Sequence, residues 1–144
     1  MLKGIPPVIS PDLMHALMNM GHGDEIVIAD GNFPADTNAQ RLVRADGIDV
    51  CTILKAIMQF FPLDTFVEDH AVVMKVVDPN APEPPIWEEF CKILSTAEGR
   101  QVKLTPIERF EFYERSKDAY CIVATSEKAI YANIILKKGV VIIN

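Results

Sequence analysis

An α/β fold, a single domain with a central mixed β-sheet and helices on both faces, is what this sequence predicts from two observations. Stretches with helical apolar spacing alternate with short β-branched runs over the first two thirds, and strand-like runs then gather towards the end. A length of 144 residues suits one hydrophobic core, so residues 1–144 are expected to form one domain.

Ser10-Pro11-Asp12 supplies an N-cap, a first-turn proline and a first-turn acid. Leu13, Met14, Ala16, Leu17 and Met20 then recur at helical spacing up to Gly21. Glu25–Ala29 reads as a buried strand ending at Asp30, the end at which open α/β sheets place ligand crevices. Asp49 can cap a second helix, in which Ile53, Leu54, Ile57, Met58 and Phe61 share a face and Pro62 closes it. Residues 71–77 are β-branched and apolar around Lys75, and a surface loop with four prolines follows over 78–85. Trp87, Phe90, Ile93 and Leu94 mark a third helix ending at Gly99.

Thr105-Pro106-Ile107-Glu108 has capping-box spacing with proline at the first helical position, which predicts a helix from there to about Lys117. Arg109 and Tyr113 share one of its faces. Residues 120–124, 131–136 and 140–143 read as three strands joined by polar turns, with Tyr131 and Asn133 on one side of the second. No internal repeat or low-complexity segment interrupts this order.

Hydrophobic residues make up 49% and charged residues 24%, a globular composition. The net charge of −6 and the lack of a Lys/Arg cluster argue against nucleic acid. No run approaches the ~18 apolar residues of a membrane span, and the first residues lack the apolar core of a secretory signal, so a cytoplasmic protein is expected. Cys51, Cys91 and Cys121 match neither a disulfide framework nor a zinc motif and read as reduced thiols.

The densest chemistry is Gly21-His22-Gly23-Asp24-Glu25, with Asp30 five residues on. An imidazole suits proton exchange near neutral pH, so His22 is the leading acid–base candidate, against a helix-end histidine that is merely hydrogen-bonded. Asp24, Asp30 and Asp64 each have a structural alternative, as turn residue, strand-end cap and Asx turn. Arg44-Ala45-Asp46-Gly47 reads as a turn with an exposed ion pair. Arg109 and Tyr113 are as well explained by a solvated helix face, and Tyr131 and Asn133 either belong to an edge strand or read sugar hydroxyls. The chain has no dinucleotide fingerprint, P-loop, metal motif or serine elbow. Acid–base chemistry on a small neutral ligand, without metal or cofactor, is the class that remains.

Several motifs, in order, resemble the RbsD/FucU family of L-fucose mutarotases and D-ribose pyranases. They are residues 20–25, Asp30 to Pro34, Arg44 to Gly47, Pro62-Leu63-Asp64-Thr65, residues 108–115 and residues 131–139. The likeness runs from Leu2 to about Val140 and is weakest over 78–85. It implies an RbsD-like fold and interconversion of the α and β anomers of L-fucose by ring opening and reclosure. D-ribose pyranase and noncatalytic sugar-binding or regulatory readings are the alternatives. It further implies His22 as proton donor, an active-site role for Asp64, and sugar contacts from Asp30, Arg109 or Tyr113, Tyr131 and Asn133. On this resemblance His22 is expected to protonate the ring oxygen, with Asp64 assisting at the anomeric hydroxyl. The family also implies a homo-oligomer, from dimer to ring-shaped decamer, with sites at or near subunit contacts. Ala132 stands where bacterial relatives often carry glycine, and its methyl is expected to narrow the pocket.

Overall fold

Eleven elements follow one another in the computed structural model, which describes residues 1–144. They are α1 (Pro11–Asn19), β1 (Glu25–Ala29), α2 (Ala35–Asn38), β2 (Leu42–Ala45), α3 (Val50–Ile57), β3 (Ala71–Met74), α4 (Ile86–Glu98), β4 (Thr105–Ile107), α5 (Arg109–Asp118), β5 (Cys121–Thr125) and β6 (Ile134–Lys137). The strands form one sheet in the order β2-β5-β1-β6-β3-β4. β1 and β2 run parallel to β5, and β3 runs parallel to β4. β6 is antiparallel to both β1 and β3, so a single reversed strand joins two parallel halves.

Side chains alternate across the sheet, and each face has its own core. Ile26 and Ile28 of β1 pack with Leu13 and Leu17 of α1, Ile53 and Leu54 of α3, and Phe90 and Leu94 of α4. Val27 and Ala29 of the same strand pack with Ala35 of α2 and Phe112 of α5 on the other side. Each fully buried aliphatic or Phe side chain contributes roughly 1.5–3 kcal/mol of transfer free energy, so this two-sided burial holds β1 and β6 at the centre. No helix is long and apolar enough to cross a membrane.

The caps read from sequence are in place. Ser10 accepts from the Leu13 N–H, Asp49 from the Thr52 N–H, and Gly99 closes α4 at φ 67°. Arg44 and Asp46 make the exposed ion pair at 2.8 Å, and the three cysteines are free thiols.

Several boundaries are corrected. Thr105-Pro106-Ile107 is the edge strand β4, and α5 starts at Arg109 with the Glu108 carboxylate capping Phe110 and Glu111. Proline fits there because an edge strand needs hydrogen bonds on one side only. Residues 140–143 form no strand, since both neighbours of β6 are already taken. Regular helix in α3 stops at Ile57, β3 at Met74, and β6 begins at Ile134 instead of Tyr131. β2 and the one-turn α2 are additional to the elements expected from sequence.

Candidate functional site

Two groups of side chains gather at opposite ends of the sheet. His22 precedes β1, in a tight turn where Gly23 takes φ 86° and gives its N–H to the Lys138 carbonyl at 2.8 Å. Asp24 is the turn residue, its carboxylate accepting from the Gly21 N–H at 2.7 Å. Residues 62–64 cross close behind Gly139, where a Cβ would lie 2.5 Å from the Leu63 carbonyl oxygen. Only glycine permits that approach, which brings Asp64 beside the turn.

His22 Nε2 lies 3.2 Å from Asp64 Oδ1, with the imidazole 48% exposed and the carboxylate side chain 5% exposed. The Phe66 N–H also donates to Asp64, at 3.0 Å. That bond first, and then the His22 imidazole, hold the Asp64 carboxyl below the usual carboxylate range. The exposed Phe66 ring stands 5.5 Å from the imidazole. The result is a solvent-facing imidazole fastened at one nitrogen by a buried, ionised carboxylate, which leaves Nδ1 for proton exchange.

The second group lies at the carboxyl ends of β1, β3 and β4. A cavity of about 360 Å³ there is lined by Asp30, Arg109, Tyr113, Tyr131 and Asn133, among others. Asp30 and Asn133 pair reciprocally: the Asp30 N–H donates to Asn133 Oδ1 at 2.7 Å, and Asn133 Nδ2 donates to Asp30 Oδ2 at 3.1 Å. The Asn32 N–H donates to the other Asp30 oxygen at 3.0 Å. Burial pushes the Asp30 carboxyl above its usual range, against the pull of these donors. Phe33 stacks at 5.7 Å on Tyr113, giving the cavity an aromatic wall. A carboxylate and an amide beside aromatic rings can hold the hydroxyls and the apolar face of a small sugar.

Asp30, Arg109, Tyr113, Tyr131 and Asn133 are therefore brought together, whereas His22 and Asp64 are not with them. The whole of β1 separates the two groups, about five residues at ~3.3 Å each, or roughly 17 Å. Tyr131 sits in a left-handed turn at φ 56°, outside the strand expected for it. The methyl of Ala132 is fully buried in the core behind the cavity and does not narrow it. Asn32, Phe33 and Met74 line the cavity without having been singled out from sequence. Asn32 and Phe33 follow Asp30 at the strand's carboxyl end, which was the available signal; Met74 reads as a core residue and carried none.

The model of the RbsD / FucU transport protein family matches residues 3–141. The chain belongs to the RbsD/FucU family. Within it, the fucose mutarotase of Homo sapiens is 48% identical over 149 residues, spanning 99% of this chain and 96% of that protein. The L-fucose mutarotase of Histophilus somni (strain 2336) is 45% identical, with 97% of each chain covered. The crystal structure of the fucose mutarotase from Streptococcus pneumoniae in complex with L-fucose superposes with a TM-score of 0.93 at 47% identity, over 98% of this chain and all of that one. Bacillus subtilis RbsD complexed with D-ribose, at 22% identity and a TM-score of 0.73, shares the fold. The mixed sheet with helices on both faces is thus the RbsD/FucU architecture.

Proposed function

We propose that this RbsD/FucU protein interconverts the α and β anomers of L-fucose. The observation that carries the reading is His22, an exposed imidazole held by the buried carboxylate of Asp64 at 3.2 Å. A module that only bound sugar would need hydroxyl readers but no such pair. The choice of L-fucose is supported by relatives named as fucose mutarotases at 45–49% identity over nearly the whole chain.

Anomer exchange requires a proton to leave the anomeric hydroxyl and a proton to reach the ring oxygen, so that the bond between the anomeric carbon and that oxygen breaks. The aldehyde then rotates, and the reverse transfers close the ring on the other face. His22 donates to the ring oxygen. Asp30, a better base for being buried, takes the proton of the anomeric hydroxyl. Asn133, Arg109 and Tyr113 hold the remaining hydroxyls, and Tyr131 covers the apolar face of the ring. Asp64 acts through His22 by fixing its orientation. No single chain brings His22 to Asp30, so the working protein is a homo-oligomer in which a second copy presents His22 to the cavity.

Saturation transfer between the anomeric protons of equilibrated L-fucose tests this. Irradiating one anomer is expected to depress the other only with catalytic amounts of protein present, and more for L-fucose than for D-ribose. His22→Ala is expected to lower the exchange rate by about 10²–10⁴-fold. Binding without exchange, or full exchange by His22→Ala, would overturn the proposal.

A further inference from the structure

Tyr131 is the one residue other than glycine with positive φ, a conformation that costs a bulky side chain free energy and persists only where its surroundings impose it. Three contacts surround it. The Trp87 indole N–H donates to the Tyr131 carbonyl at 3.0 Å, and the Val77 N–H donates to the Tyr131 hydroxyl at 3.3 Å. Ala132, the next residue, is anchored in the core that also holds Trp87. Tyr131 also lines a second cavity of about 650 Å³, together with Pro82, Pro84, Pro85 and Ile86. An untethered Tyr131 has room to leave the sugar cavity for this space.

Trp87 is well built as a tether. The residue is 6% exposed, and its backbone N–H donates to the Pro84 carbonyl at 3.0 Å at the start of α4. The prolines of 78–85 limit backbone freedom just before that turn and so aim the indole. We infer that Trp87 is a positioning residue for the sugar reaction: its N–H locks the left-handed Tyr131 turn and so presents the Tyr131 ring and the Asn133 amide to the sugar. The inference rests on the anomer-exchange reading above. It extends the functional unit to a residue that the sugar does not touch.

Trp87 is the only tryptophan in the chain, so global replacement of tryptophan by the benzothiophene analogue β-(benzothienyl)alanine changes this position alone. The analogue keeps the size and apolar character of indole and lacks the N–H. Exchange rates are measured by saturation transfer across a range of L-fucose concentrations, beside thermal melting, with Trp87→Phe as a second variant. The expected result is a rise of about fivefold in half-saturating L-fucose for the folded analogue protein, the factor equivalent to ~1 kcal/mol for one net hydrogen bond. Its melting temperature should stay within a few degrees of the unmodified protein. Trp87→Phe should show the same direction per folded molecule. Unchanged half-saturation would overturn the inference. So would failure of both proteins to fold, since Trp87 would then serve the core alone. An unmodified protein that does not catalyse exchange would refute the anomer-exchange reading instead, so the two failures are distinguishable.

Discussion

Asp30 shows how burying a single carboxylate raises its basicity at a cost in stability. It is a buried carboxylate that accepts from the Asn32 N–H and the Asn133 amide, and these donors do not fully offset its desolvation. Because its folded pKa lies above the ordinary value, its ionised form disfavours the native state once the pH exceeds that value. Asp30→Asn is therefore expected to keep or raise the melting temperature, by up to ~5 °C, while lowering exchange by about 10²-fold. Calorimetry beside saturation transfer checks both, and a fall in melting temperature of more than ~5 °C would contradict it. At this scale much was legible in the sequence. A strand running into Asp30 announced a crevice, and glycines flanking His22 announced a turn built around an imidazole. The Asp64 contact was not legible, because it depends on Gly139 letting residues 62–64 pass close by, 75 positions along the chain from Asp64.

Helix α5 runs from the Asp30 cavity to the opposite end of the sheet. Its first residue, Arg109, and Tyr113 face the Asp30 cavity, while Arg115 near its end reaches the other end of the sheet. Arg115 donates to Glu25 at 2.6 Å and to Asp69 at 2.9 Å, tying the start of β1 and the loop after Asp64 to one guanidinium. Arg115→Met keeps most of the apolar stem and leaves Glu25 and Asp69 unpaired. A loss of ~2–3 kcal/mol in urea unfolding at pH 7 is expected, since Arg115 and Glu25 are largely buried. The Arg115 guanidinium holds the Asp69 carboxyl below its usual value despite desolvation, so this stabilisation is complete above the ordinary carboxylate pKa and fades as pH falls through the depressed one. The difference between Arg115→Met and the unaltered protein should thus be smaller near pH 3 than at pH 7. An unchanged difference would refute this assignment. Elements were legible where local chemistry decides them, as with the caps of α1 and α3. They were misread where a neighbour decides: residues 105–107 pair with β3, and residues 140–143 find both sides of β6 occupied.

For the molecule as a whole, the separation of His22 from Asp30 is the decisive constraint. Both are fixed to the central strand, one at each end, and packing on its two faces leaves no room for a bend of roughly 17 Å. Exposed apolar side chains at Met18, Phe66 and residues 140–143 offer area for association, Phe66 directly beside His22. A site shared between copies makes a prediction that a site within one chain does not. His22→Ala and Asp30→Asn chains should each be nearly inactive as separate assemblies. Refolded together in equal amounts, they should form mixed assemblies in which about one site in four combines an intact His22 from one chain with an intact Asp30 from the other. Exchange activity should then recover to roughly a quarter of that of the unaltered protein. If the mixture shows only the sum of the two residual activities, while mass spectrometry confirms mixed assemblies, His22 and Asp30 do not meet across a subunit contact. The catalytic role of His22 would then require a movement of its turn along β1 that the hydrogen bonds from Gly23 and Lys138 oppose.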